Sequence, residues 1–194
     1  MNKLVWIVVP ALLLTAGCKK QTDAATQQKT LHEIMKNEVD KRGDYLWDLT
    51  NPHVGADAGL DASTMSDDDW KKLASAAVDL QQAALDLAAL KEPITIVKPG
   101  EKIADQDVPG GDTVESVKAN VDKDPQGLRD HANSLAADMA DLAKAAGKHD
   151  AATAGPIINQ LDSVCESCHL EFWYPSQKAL VNQIREQAGD KALN

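Results

Sequence analysis

Residues 157–175 read IINQLDSVCESCHLEFWYP. Ile157, Leu161, Val164, Cys168 and Phe172 recur at intervals of three and four, the spacing that gathers side chains on one face of a helix. Pro175 closes the stretch, since proline cannot continue a helical hydrogen-bond ladder. Within it Cys165, Cys168 and His169 spell C-E-S-C-H. C-x-x-C-H is the attachment signal of a c-type haem. Its two thiols add to the vinyl groups, and the histidine supplies an axial nitrogen to the iron. This stretch therefore predicts a helix that carries one covalent haem near the C-terminal end of the chain.

Other chemistries of the same residues fit less well. A zinc site needs about four ligands, usually two Cys/His pairs, and the only further cysteine is Cys18, far away in an N-terminal segment. A thioredoxin-like C-x-x-C follows a strand and opens a helix, whereas the surroundings here are helical throughout. A disulfide between helical residues three apart has poor geometry.

Working back from the motif, the helix begins near Asp150, with Gly155-Pro156 expected to kink it or split off its first turn. Before it, Asp124-Pro125 supplies an N-cap and a proline at the first helical position. Leu128, Leu135, Met139, Leu142 and Ala146 continue the apolar stripe to Gly147. Ser66 followed by Asp67, Asp68 and Asp69 makes a capping box and complements the helix dipole. The helix it opens runs to about Lys91, with Trp70, Leu73, Ala77, Leu80, Ala84, Leu87 and Ala88 facing in. A first helix spans about Thr30 to Asp48, where Leu31, Ile34, Met35, Val39, Tyr45, Leu46 and Leu49 share one side. Residues 50–65 read as loop. Residues 92–123 read as a long connection of the kind a lengthwise crossover in a bundle needs, with Ile94-Thr95-Ile96-Val97 as a strand-like piece over the core. After Pro175, Ser176 caps a short tail helix bearing Leu180, Val181 and Ile184.

The N-terminus has its own pattern. Lys3 precedes an apolar run from Leu4 to Leu14 that is too short to span a bilayer. Leu14-Thr15-Ala16-Gly17-Cys18 resembles a bacterial lipobox, which makes residues 1–17 a signal peptide and Cys18 the acylated residue. Residues 18–29 are polar and read as a flexible lipid-anchored tether, and residues 30–194 as one domain. Lys19 after the cysteine is not the acidic inner-membrane retention type. The expected location is therefore the cell envelope of a Gram-negative bacterium, on the periplasmic face, with the outer membrane favoured.

Only 4% of the residues are aromatic, and the formal charge is −10 at pH 7. The first favours helices over sheets. The second disfavours nucleic acid and favours basic partners.

A four-helix chain with the haem motif on its last helix resembles the class II cytochromes c, the cytochromes c′ and their low-spin relatives. The resemblance covers about residues 30–173. It implies an all-α, antiparallel four-helix bundle, here with a long crossover between helices 2 and 3 and a short extra C-terminal helix. It also implies haem bound between helices, with Cys165 and Cys168 as thioether anchors and His169 as proximal ligand. Low-spin members carry a methionine on the first helix, often followed by lysine, and Ile34-Met35-Lys36 stands at that place. Met35 is thus the candidate distal ligand. A thioether is a soft ligand for haem iron, and His/Met ligation raises the potential.

The alternative for Met35 is core filling, with Met139, His32 or Met65 as the other distal candidates. His53, His131 and His149 sit in polar surroundings and are expected to be solvated. Lys36, Arg42 and Lys178 are candidates to pair a haem propionate. With both ligands in place the chain is expected to transfer electrons between redox protein partners and to have no enzymatic activity. With Met35 only packing, the iron is five-coordinate and binds NO or CO. The resemblance also raises a homodimer, on which the mostly Ala residues beyond the core stripe are silent.

Overall fold

The computed structural model describes residues 28–55, 59–104, 106–108 and 111–189. Cys18, the signal peptide and nearly all of the tether lie outside the described residues.

The fold is all-helical. Helix α1 consists of an α-helical turn Leu31–Ile34, a π-helical turn Met35–Val39 and an α-helical stretch Asp40–Thr50. Helix α2 spans Asp67–Ala88, α3 Val114–Lys123 and α4 Pro125–Ala146. Helix α5 spans Ala151–Cys168 and passes into a second π-helical turn, His169–Trp173. A 3₁₀ turn, Pro175–Gln177, leads to α6, Lys178–Ala188. The four long helices α1, α2, α4 and α5 form the bundle. Helix α2 packs most extensively on α4, α4 on α5, and α1 on α2. Between α1 and α5 close backbone approach is scarce, and that gap is where the site lies.

The caps follow from side-chain chemistry. The Ser66 hydroxyl accepts from the Asp69 amide while the Asp69 carboxylate accepts from the Ser66 amide, so both orphan donors at the start of α2 are satisfied. Thr30 and Glu33 do the same for α1. Asp124 caps α4 ahead of Pro125. The expected stripes form the core: Leu73, Ala77, Leu80, Met139, Leu142 and Leu161 are at most 2% exposed.

Several local expectations are corrected. Gly155-Pro156 does not split α5. Pro156 lies in the second helical turn and forgoes only the bond to the Ala152 carbonyl. Gly155 lets α5 pass close to the 59–60 backbone: a Cβ there would stand 3.2 Å from the Leu60 amide nitrogen, tighter than an ordinary contact. Ser176 lies inside the 3₁₀ turn, and Gln177 holds the N-cap position of α6. Tyr45 points outward at 49% exposure, because the π-helical turn advances the helix face and rotates residue 45 away from the core.

The 92–123 connection is not loop throughout. Its last third is α3, which buries Val117 and Val121. Ile94 and Ile96 are buried as expected, but the segment pairs with a helix end instead of a strand. The Thr95 and Ile96 carbonyls accept from the Leu31 and His32 amides at 2.8 and 2.9 Å, two donors that α1 cannot satisfy internally. Lys98 forms an ion pair with Glu33 at the same end.

Candidate functional site

A cavity of about 360 Å³ lies between α1 and α5. From α1 come Met35, Val39, Gly43 and Trp47; from α5 come Leu161, Val164, Cys165, Cys168 and His169. Leu80 and Leu87 of α2 and Leu135 of α4 close it from behind. A second chamber of about 520 Å³ shares Met35, Asp40 and His169 with the first. It is bounded by His32, Lys36, Trp173 and Tyr174, and by Lys102, Ile103 and Ala104 of the crossover. The structure thus brings Met35, Cys165, Cys168 and His169 to one apolar space.

The two candidate axial residues occupy the same kind of backbone. Met35 opens one π-helical turn and His169 opens the other. Such turns are rare and cluster at functional sites, because the extra residue per turn re-aims side chains relative to the α-helical rows on either side. In α1 this puts Asp40, whose amide donates to the Met35 carbonyl, on the cavity wall beside Met35. The Asp40 side chain meets solvent at the cavity mouth, yet the protein around its carboxyl raises its pKa, with His169 and His32 opposing the rise.

In α5 the π-helical turn ends with the Tyr174 amide donating to the His169 carbonyl at 2.9 Å. The Tyr174 hydroxyl then lies 3.2 Å from His169 Nδ1 and donates to Glu166 Oε2 at 2.7 Å. Burial, followed by the Glu166 hydrogen bond, pushes the Tyr174 phenol well above its usual range, so it keeps its proton. The turn is held from outside by α3, where Asn120 Nδ2 donates to the Phe172 carbonyl at 3.1 Å.

Burial pushes the Cys165 and Cys168 thiols up to about 11 and about 12. A disulfide-exchanging C-x-x-C needs the opposite, a thiol pulled down toward neutrality. The two cysteines are free and line the apolar cavity. Among the described residues no group of three or more His, Cys, Asp or Glu is arranged to hold a metal ion.

Gly43 tests whether a flat ligand fits. It is buried in the middle of α1 on the cavity wall. A Cβ built there meets only the Trp47 ring, at 3.9 Å, an ordinary contact. Nothing in the chain requires glycine, and a mid-helix glycine costs roughly 0.5–1 kcal/mol relative to alanine. A wall kept bare at Gly43, beside Cys165, Cys168, Met35 and His169, leaves room that a flat group such as a haem would need. The two chambers are also of the size that holds a cofactor, about 300–1,000 Å³.

Residues 101–173 match the family model described as cytochrome C′. The match is a similarity to that family over less than half of the chain. It runs from the crossover through α3, α4 and α5 to the end of the second π-helical turn, and so contains Cys165, Cys168 and His169 but not Met35. No curated protein and no solved structure matches the chain.

The remaining sequence candidates fall elsewhere. Met139 is fully buried between helices and does not line the cavity. Met65 packs against the core outside it. His32 lines only the second chamber. Arg42 is engaged with Glu38, whereas Lys36 lies on the second chamber. His53 bonds Thr64, and His149 stacks on Trp70 with ring centroids 5.3 Å apart. His53 and His131 correct the expectation of solvated side chains, with 14% and 23% of the side chain exposed. His131 lines the cavity, bonds Glu171 at 2.8 Å and meets the Phe172 ring edge-on. Tyr174, Glu166 and Lys102 are the site residues that the sequence did not single out for these roles.

Proposed function

We propose that the chain is an electron carrier with one haem c, anchored through Cys165 and Cys168 and ligated by His169 and Met35. The observation that carries this reading is the convergence of all four residues on one cavity, with each axial candidate opening a π-helical turn. When bound, haem supplies a one-electron iron couple. The chain's own residues then do three things. The apolar wall of Val39, Trp47, Leu80, Leu135 and Leu161 excludes water and favours the less charged reduced state. Two axial side chains held by helices on opposite sides of the cavity limit rearrangement between oxidation states. The acidic rim of Asp40, Asp44, Asp162 and Glu166, on a chain of formal charge −10, favours redox proteins with basic docking surfaces.

In this reading the chain is not an enzyme, and its cavity residues have binding roles. The lipobox-like segment ending at Cys18 supports a lipid anchor and a periplasmic setting. Membrane attachment would rest on acylation: among the described residues no helix is long and apolar enough to cross a membrane.

The test is addition of CO to the reduced, haem-loaded protein. An unchanged spectrum supports a saturated iron and electron transfer. A fast spectral shift on adding CO would instead make the protein a five-coordinate gas binder.

A further inference from the structure

Tyr174 lies beyond the C-E-S-C-H motif and Glu166 is one of its two variable positions; neither belongs to the ligand set, yet the fold builds both against His169. Glu166 is three residues before the histidine on an α-helical row, where i and i+3 are neighbours. Tyr174 is five residues after it, a spacing that an α-helix would turn to another side. The π-helical turn brings residue five back over residue zero. The Tyr174 hydroxyl donates a hydrogen bond to Glu166 Oε2 at 2.7 Å, which leaves its lone pairs for His169 Nδ1, 3.2 Å away. Glu166 Oε2 itself is 3.9 Å from Nδ1, too far for a direct hydrogen bond, so the contact runs through the phenol. The two rings are tilted at 52° with centroids 5.5 Å apart, which is hydrogen-bonding contact and not stacking.

We propose that Tyr174 and Glu166 are positioning residues that relay a carboxylate's charge to the outer nitrogen of His169 and so strengthen its donation to iron. The inference rests on the proposed role of His169 as axial ligand. A ligating histidine presents one ring nitrogen to the metal, and the partner of the other nitrogen fixes the tautomer and raises ligand basicity. Here Nδ1–H donates to the Tyr174 oxygen, whose own proton is held by Glu166. A more basic imidazole stabilises the oxidised iron, which lowers the reduction potential. The device offsets part of the rise expected from a thioether ligand and an apolar wall.

The experiment is a redox titration of haem-loaded wild type, Tyr174→Phe and Glu166→Gln, with covalent haem content and absorption spectra recorded on the same samples. Phe keeps the ring packing and removes only the hydroxyl. Gln keeps an acceptor and removes the charge. At fixed ambient potential, Tyr174→Phe is expected to raise the ratio of reduced to oxidised haem by about tenfold, which is about 59 mV for a one-electron couple. Glu166→Gln is expected to move it the same way by less. Spectra that stay wild type with ratios unchanged within twofold, or a shift in the opposite direction, overturn the relay and leave His169 ligation intact. A wild-type protein that carries no covalent haem overturns the axial role of His169 and the relay with it. If Tyr174→Phe fails to fold, as judged by circular dichroism, the Glu166→Gln ratio decides alone.

Discussion

Met35 and His169 each open a π-helical turn, one on α1 and one on α5, and the two turns face each other across the same cavity. In each helix the row of side chains that packs the core is interrupted where a side chain is aimed at the cavity instead. Leu31 and Ile34 pack the core before the first turn, and Leu46 after it. Met35 itself stays only partly buried, as a side chain with an apolar space in front of it does.

The bare wall at Gly43 has opposite consequences for the chain without and with haem. Gly43→Ala should stabilise the haem-free chain by roughly 0.5–1 kcal/mol, because alanine is the better helix former and its methyl meets no close contact. Gly43→Leu should instead cut the haem-to-protein ratio several-fold while leaving helix content unchanged. Urea unfolding of the apoprotein and haem staining of the matured protein check the two halves.

The buttress from α3 to the histidine turn can be removed singly. Asn120→Ala deletes the hydrogen bond to the Phe172 carbonyl and should cost about 0.5–1.5 kcal/mol. Thermal unfolding followed by circular dichroism measures it. Since the Asn120 contact also fixes the turn that begins at His169, the variant should broaden the haem absorption bands as well.

Stability in acid should depend on Glu33. Hydrogen bonds from Lys98 and from the Thr30 amide pull its carboxyl from the usual 4.5 to about 2. A carboxylate whose folded pKa is lowered contributes stability that is fully present above the unfolded value and lost as pH falls through the folded one. The difference in unfolding midpoint between wild type and Glu33→Gln should therefore be constant above about pH 5 and shrink between pH 4.5 and 2. Urea titrations at a series of pH values give the curve. A gap that persists at pH 2 would show that the ion pair with Lys98 is not the source.

Much of this architecture can be read in the residues themselves. Ser66 with Asp69, and Asp124 with Pro125, mark helix starts by local chemistry alone, and the stripes from Trp70 to Leu87 and from Leu128 to Ala146 have an undisturbed helical period. The C-E-S-C-H motif carries its chemistry in five adjacent residues. Helix α3 was harder to see because it buries only Val117 and Val121 and most of its other residues are charged or polar, although Thr113 with Ser116 is a capping box of the same kind as the others. The partnership of Tyr174 with His169 was not legible, because a spacing of five is neighbourly only in a π-helical turn. His131 reads as a surface residue on its own helix. It meets the cavity and Glu171 only because α4 packs beside α5.

Whether Met35 completes the iron's coordination from across the cavity can be read from absorption spectra of haem-loaded wild type, Met35→Ala and Met139→Ala. Sharp low-spin bands with a weak near-infrared sulfur-to-iron band are expected in the oxidised wild type and in Met139→Ala. In Met35→Ala that band should disappear, the spectrum should become high-spin, and CO should bind to the reduced form. A Met35→Ala spectrum indistinguishable from wild type would show that Met35 is a packing residue and not a ligand.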